Sequence, residues 1–256
     1  MKKTKLLSWK LLLVGALNFS CISSVIYTPQ VQAQSVGQRI QSLLSSQKKK
    51  LGTASGRSRG GAIRGECPAV VDTRLIALAP DTNLGATVEG SPTFWFYIPY
   101  SQSMGVEYAR FVLSDPQGGG LKQPIWVELP ETPGIVKLNL PEDKSIWVDG
   151  KSLKAGHKYN WSFSVICDNT QPAGNPTISG WIERVELSSE LESQLEKENS
   201  ARNYLTYLEE GIWYEAIDQL VQNRDIYIDD WTGLLSHYKL PELSSNQIGE
   251  LRLVGQ

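Results

Sequence analysis

Histidine is almost missing from this chain: there are two, His157 and His237, among 256 residues. Neither stands at metal-ligand spacing from a cysteine, from the other histidine or from paired carboxylates, which argues against zinc and non-haem iron sites. A serine–histidine–aspartate triad would have only these two bases to draw on, and no nucleophile elbow on a strand–turn–helix is expected. Acids are missing from residues 34–65, which carry seven basic residues instead: Arg39, Lys48, Lys49, Lys50, Arg57, Arg59 and Arg64. Residues 48–64 also lack any glycine-lysine-serine/threonine triplet, so their glycines make no phosphate loop. No uninterrupted apolar run reaches the ~20 residues of a membrane span. These gaps leave no catalytic residue, metal or cofactor to nominate, and a protein that is not an enzyme is expected. Carboxylate pairs for glycoside hydrolysis are the exception, since their separation is spatial. Glu183, Glu186 and Asp168 are the acids in question, and all three read as solvated strand-end residues.

What is present begins with a leader. Lys2, Lys3, Lys5 and Lys10 precede an apolar run that starts at residues 11–16 and continues with interruptions to Tyr27. Val31-Gln32-Ala33 then supplies a signal-peptidase pattern, so residues 1–33 are expected to be a cleaved signal peptide and the protein periplasmic or extracellular. Asn18, Ser20, Ser23 and Ser24 break the run and argue against a membrane anchor. Cys21 raises a lipoprotein as a further alternative, but the nearest leucine, Leu17, is four places upstream rather than three. Two cysteines remain beyond the leader, Cys67 and Cys167. In an exported chain an even pair reads as one disulfide, here closing about 100 residues; the alternative is two unrelated buried thiols.

Charge is divided unevenly along the chain. Without the leader there are 21 basic and 27 acidic residues, a net of −6; residues 66–256 alone carry 14 against 27, a net of −13. The basic, Gly/Ser/Arg-rich segment 34–65 therefore reads as a flexible extension of an acidic body. Its stretch 48–64 is the part expected to meet an anionic partner outside the cell, with a plain solvated linker as the competing reading. No nucleic acid is expected.

Residues 66–188 are expected to form a β-sandwich domain. About seven strands alternate in hydrophobicity over residues 70–187, set apart by turn signals such as 114–120 and 130–134. The densest is 91–100, SPTFWFYIPY, with Phe94, Phe96 and Ile98 on one face and Trp95 and Tyr97 on the other. The cleanest alternation is 157–168, where Tyr159, Trp161, Phe163, Val165 and Cys167 share a face. The plan is that of an immunoglobulin-like two-sheet sandwich, with a closed barrel as the alternative. Tyr159, early in the penultimate strand, has the position of a tyrosine corner.

Past residue 188 the period becomes helical. Residues 189–240 read as a helical hairpin resembling a single tetratricopeptide unit, with Gly211 as the stop between two helices and Trp213, Ala216, Ile217 and Leu220 on one face. One such unit cannot bury its own apolar face, so it is expected to pack on the sandwich or on a partner. Residues 241–256 read as a polar tail that frays.

Seven tryptophans lie beyond the leader, and only Trp161 sits on an unambiguous core face. Trp95, Tyr97, Trp126 and Trp147 are the candidate binding face; the competing reading covers them with the helices. The function expected is a non-enzymatic, exported cell-envelope interaction module meeting an envelope protein. The alternative is a carbohydrate-binding module that holds envelope polysaccharide on its aromatic sheet face.

The stretches TFWFYIPY, TPGIVKLNLP, YNWSFSVICD, GWIERVEL and LEEGIWYEAIDQL, spread from about Arg59 to the last helix, resemble the exported cyanobacterial family named domain of unknown function (DUF) 928. The resemblance implies cyanobacterial origin, export and the sandwich-plus-helices plan. It brings no activity and no catalytic residue.

Overall fold

Strands build two facing sheets here, because each sheet has an apolar face to hide. The computed structural model describes residues 40–44, 52–60, 67–68, 74–150, 152–197 and 200–254, all within the compact unit Gln34–Gln256. The expected signal peptide lies outside the described residues, as do Lys48, Lys49, Lys50 and Arg64 of the basic segment. In chain order the strands are β1 (Ile76–Ala77), β2 (Leu84–Thr87), β3 (Thr93–Ile98), β4 (Tyr108–Ser114) and β5 (Ile125–Glu128). They continue with β6 (Gly134–Asn139), β7 (Lys158–Ile166), β8 (Thr177–Arg184), β9 (Gly249–Glu250) and β10 (Arg252–Leu253). One sheet runs β1-β3-β6-β9 and the other β10-β5-β4-β7-β8-β2. The helices are α1 (Ser189–Lys197), α2 (Asn203–Glu210), α3 (Trp213–Gln222) and α4 (Ile228–His237). No helix among the described residues is long and apolar enough to cross a membrane.

The core forms where β3 faces β7 and β4. Phe96 stacks on Phe163 with centroids 4.3 Å apart, and Phe94 meets Phe111 at 4.9 Å. Aromatic contacts of this kind add about 0.5–1.5 kcal/mol each beyond the area they bury. Tyr159, Trp161, Phe163 and Val165 are all buried, as their alternation predicts. The Tyr159 hydroxyl accepts from the Lys154 N–H at 2.9 Å, which ties the start of β7 to the loop before it. Trp161 needs the glycine beneath it. A Cβ on Gly180 would stand 2.6 Å from the ring carbon Cζ2 and 3.2 Å from the Asn83 carbonyl, with no flexible end to give way. Gly180→Ala is therefore expected to destabilise the protein by about 1–3 kcal/mol, as overpacking does. A urea midpoint left unchanged would show that the ring can move aside.

The second face of β3 is covered by helix. The α2 helix stops at Gly211, whose left-handed backbone (φ 81°) returns its N–H to Leu208 and Tyr207. Chain reversal then lays α3 against β2 and β3. The Trp213 indole donates to the Leu78 carbonyl at 2.8 Å, and Tyr214 meets Phe94 with centroids 5.0 Å apart. Gly85 permits this approach, since a Cβ there would lie 3.0 Å from the Tyr214 ring. The α4 helix is tied down at both ends. Tyr204 donates to the buried Asp230 in its first turn, and the Tyr238 hydroxyl just beyond it donates to the Ala79 carbonyl at 2.7 Å.

Two segments expected to be loose are built into the sheets. Arg57 exchanges both backbone hydrogen bonds with Ser179 of β8 at 2.8 Å, while Gly60 donates to the Leu75 carbonyl and Ser58 accepts from Ala77 of β1. The flexible reading of the basic segment thus fails at residues 57–60, which cross from one sheet edge to the other. The tail does the same on the far side. Its β9 pairs with β6, its β10 pairs with β5, and Leu251 between them is buried. Free sheet edges attract such pairing, and a strand that closes both edges removes two aggregation-prone borders. The expectation of a fraying tail is overturned by this seam.

Candidate functional site

The strand β5 turns Val127 into the core and leaves Trp126 and Glu128 on the outer face. Across the ladder Trp126 stands opposite Arg110, while Glu128 stands opposite Tyr108 on one side and Arg252 on the other. At 40 % exposure Trp126 is the one exposed tryptophan among the described residues, and Tyr108 on the same face is 39 % exposed. Beside Trp126 the Val254 N–H reaches its carbonyl at 2.9 Å, which brings the end of the strap formed by residues 249–254 (β9, Leu251, β10 and Val254) alongside.

The opposite wall is the loop after β6. Its anchor is Trp147, which is buried and donates its indole N–H to the Pro141 carbonyl at 3.0 Å. Lys122 donates its backbone N–H to the Ile146 carbonyl at 2.9 Å, and Val148 donates to Gly120 at 2.8 Å. The Asp143 carboxylate accepts from the Ser145 N–H at 2.8 Å and from its hydroxyl at 2.7 Å. Those two bonds, helped by Lys122, hold its carboxyl below the usual carboxylate range. Between wall and strand lies a groove of ≈ 600 Å³ with an apolar floor of Ile125, Pro141, Ile146 and Leu253. Trp126 and Val254 flank it, and Lys122, Gln123, Asp143 and Ser145 make its polar rim.

Four residues were expected to share one binding face, and the structure separates them. Trp95 and Tyr97 are buried on the covered side of β3, with Asp218 of α3 facing the Trp95 indole. Trp147 is a buried support for the groove wall. Only Trp126 keeps an exposed ring, so the aromatic platform of four is corrected to one. The basic segment loses a member too: the Arg59 guanidinium lies 5.9 Å from the Tyr238 ring centroid and donates to the His237 carbonyl at 3.2 Å. Cys67 and Cys167 are joined in a disulfide.

Other polar clusters serve the scaffold. One Glu215 oxygen accepts from the Thr87 hydroxyl and from the N–H groups of Val88 (3.0 Å) and Glu89 (3.2 Å). Burial raises its carboxyl, and those donors pull it back. The result fastens α3 to the end of β2. His157 pairs with Asp115 at 3.0 Å, and Asp115 also accepts from the Gln117 N–H at 2.8 Å, bracing the turn after β4. A second cleft of ≈ 570 Å³ mixes Glu89 and Glu142 with Lys144, Lys154 and Arg184, so its charges nearly cancel. Arg184 there is spent on the Val88 and Leu153 carbonyls.

The letters of a nucleophile elbow do occur, at Gly56-Arg57-Ser58-Arg59-Gly60. They lie extended along the sheet edges instead of forming a strand–turn–helix, and Ser58 lacks a left-handed backbone. Successive side chains of an extended segment point to opposite sides, so with Arg59 turned to His237 its neighbour Ser58 is turned away. Among the described residues no three of His, Cys, Asp and Glu come together in a group that could hold a metal ion.

The geometry thus defines a two-sheet β protein with C-terminal helices and one aromatic groove at a sheet edge. Residues 59–248 match the family model described as Domain of Unknown Function (DUF928), and the chain belongs to that family. No curated protein and no solved structure matches the chain.

Proposed function

We propose that this protein is a non-enzymatic binding module working outside the cytoplasm, and that it holds carbohydrate in the groove beside Trp126. One observation carries the reading: Trp126, the one exposed tryptophan among the described residues, lines a groove whose apolar Ile125, Pro141, Ile146 and Leu253 are half-buried and whose polar Lys122, Gln123, Asp143 and Ser145 are exposed. A sugar ring presents an apolar C–H face and a hydroxyl edge, and a groove with an aromatic flank and a few polar groups complements both. The Cys67–Cys167 bond supports an oxidising, exported setting. An immunoglobulin-like label for the sandwich is supported by the Tyr159–Lys154 tie, and a tetratricopeptide-like one for α2–α3 by the Gly211 reversal.

Retention on insoluble envelope polysaccharide, with tryptophan fluorescence during titration, tests the proposal. Wild type should be retained and its emission should shift, whereas Trp126→Ala should bind about tenfold more weakly or worse, as loss of a central aromatic contact predicts. A wild-type protein that passes through unretained, with constant emission, would end the carbohydrate reading. An envelope protein partner is the second reading. It is favoured by Ile226 and Ile228, which stand 69 % and 43 % exposed at the turn into α4. Recovery of the chain alone from envelope extract would count against it.

A further inference from the structure

The groove beside Trp126 does not stop at the strap. Pro141 and Leu253 line it, and the same two residues line a neighbouring cleft of ≈ 560 Å³. That cleft adds Glu128, Asn139, Glu250 and Arg252. Each space alone falls within the ~300–1,000 Å³ of an ordinary small-ligand site. A ligand that fills both exceeds that range, so it is an elongated one. We infer that the two clefts are one trough, crossing the strap, that takes an extended and uncharged glycan. The inference rests on the carbohydrate reading above and adds the ligand's length and charge.

Charge decides the class of glycan. The trough sets two cations, Lys122 and Arg252, against three acids, Asp143, Glu128 and Glu250. Two of the acids are already engaged. Asp143 is held by Ser145, while Glu250 accepts from the Asn139 amide at 2.8 Å and pairs with the Lys137 ammonium at 3.4 Å. With Lys137 counted, three cations stand against three acids, so there is no surplus of cations for a row of uronates or sulfates, and the surrounding body, residues 66–256, is net −13. Hydroxyl groups, which both donate and accept, fit such a mixed rim. An extended peptide fits less well, because the Leu251 and Val254 N–H groups beside β10 are already bonded to the Lys137 and Trp126 carbonyls, both at 2.9 Å.

Calorimetric titration of the whole chain tests this with neutral glucan oligomers of two to six units in β-1,4, β-1,3 and α-1,4 linkage. Alginate oligomers of the same lengths serve as the acidic counterpart. In the preferred linkage, affinity should rise about tenfold or more from dimer to hexamer. Arg252→Ala should remove most of that gain, and Trp126→Ala should weaken dimer and hexamer alike. Equal affinity for dimer and hexamer would overturn the trough and leave the carbohydrate reading standing. Tighter binding of alginate would overturn the uncharged class. No binding by any oligomer, or binding of unfolded casein peptides in their place, would overturn the inference together with the reading beneath it.

Discussion

Replacing Cys67 and Cys167 by serine is expected to cost this protein about 4–5 kcal/mol of stability, the chain-entropy value for a loop of this size. The bridge spans a sequence separation of 100, and most of the sandwich, β1 through β7, lies inside the loop it closes. Cutting it frees the unfolded chain far more than the folded one. The folded side is held independently: the Asn175 side-chain oxygen accepts from the N–H groups of Cys167 and Asp168, at 2.9 and 3.1 Å, and its amide donates to the Asp168 carbonyl. The double variant should therefore keep its fold in water while its urea midpoint falls steeply. Against a typical total of about 5–15 kcal/mol, the loss is about a quarter or more of a domain's stability. Reduced wild type should behave like the variant, and alkylation of the untreated protein should label neither Cys67 nor Cys167. A midpoint within about 1 kcal/mol of wild type would show that the unfolded chain is already constrained without the bond.

The parts of this fold that are legible in the sequence are those set by local period. Alternation at β7 places Tyr159, Trp161, Phe163 and Val165 inward without help from elsewhere, and the two-sided apolar pattern of β3 correctly demands cover on both faces. Helical spacing identifies the buried face of α3 for the same reason. The two edge segments have no such signature. Arg57 pairs by backbone atoms alone, and β9 and β10 are two residues each, so neither charge nor side-chain period marks them as strands. What makes them strands is the presence of an unpaired sheet edge, a tertiary fact. The candidate site fails to be legible in a similar way. Trp126 and Trp147 look alike as letters, each flanked by an isoleucine and a valine. Their fates differ because the loop after β6 folds back so that the Pro141 carbonyl meets the Trp147 indole, whereas the pleat of β5 points Trp126 away from the core. The neighbouring cleft is equally hidden, since Glu128 and Glu250 are far apart in sequence and line it together only in the fold.

Leu251 is where the strap is held, and its loss should have the second large effect. The side chain is buried between β9 and β10, its N–H donates to the Lys137 carbonyl at 2.9 Å, and Val254 repeats the tie to Trp126 on the other sheet. Leu251→Ala removes a buried isobutyl group, a change that costs about 2–5 kcal/mol where the site cannot collapse. That figure applies in full only if the strap unfolds together with the sandwich. A strap that peels away first would cap the loss at its own docking free energy. Hydrogen exchange separates the two cases: in wild type the Leu251 and Val254 amides should be as protected as those of β6, and in the variant they should exchange faster. Deleting residues 249–256 goes further, because it bares β5 and β6 together. The truncated chain should then self-associate through those edges, in a concentration-dependent way visible by light scattering. A truncated protein that stays monomeric with an unchanged urea midpoint would mean that the strap lies on the sandwich without holding it. The glycan trough shares this dependence, since Leu253, Val254 and Arg252 belong to it. A ligand seated there binds only the closed strap, so it should slow exchange at Leu251 and raise the wild-type midpoint, while leaving the truncated chain unaffected.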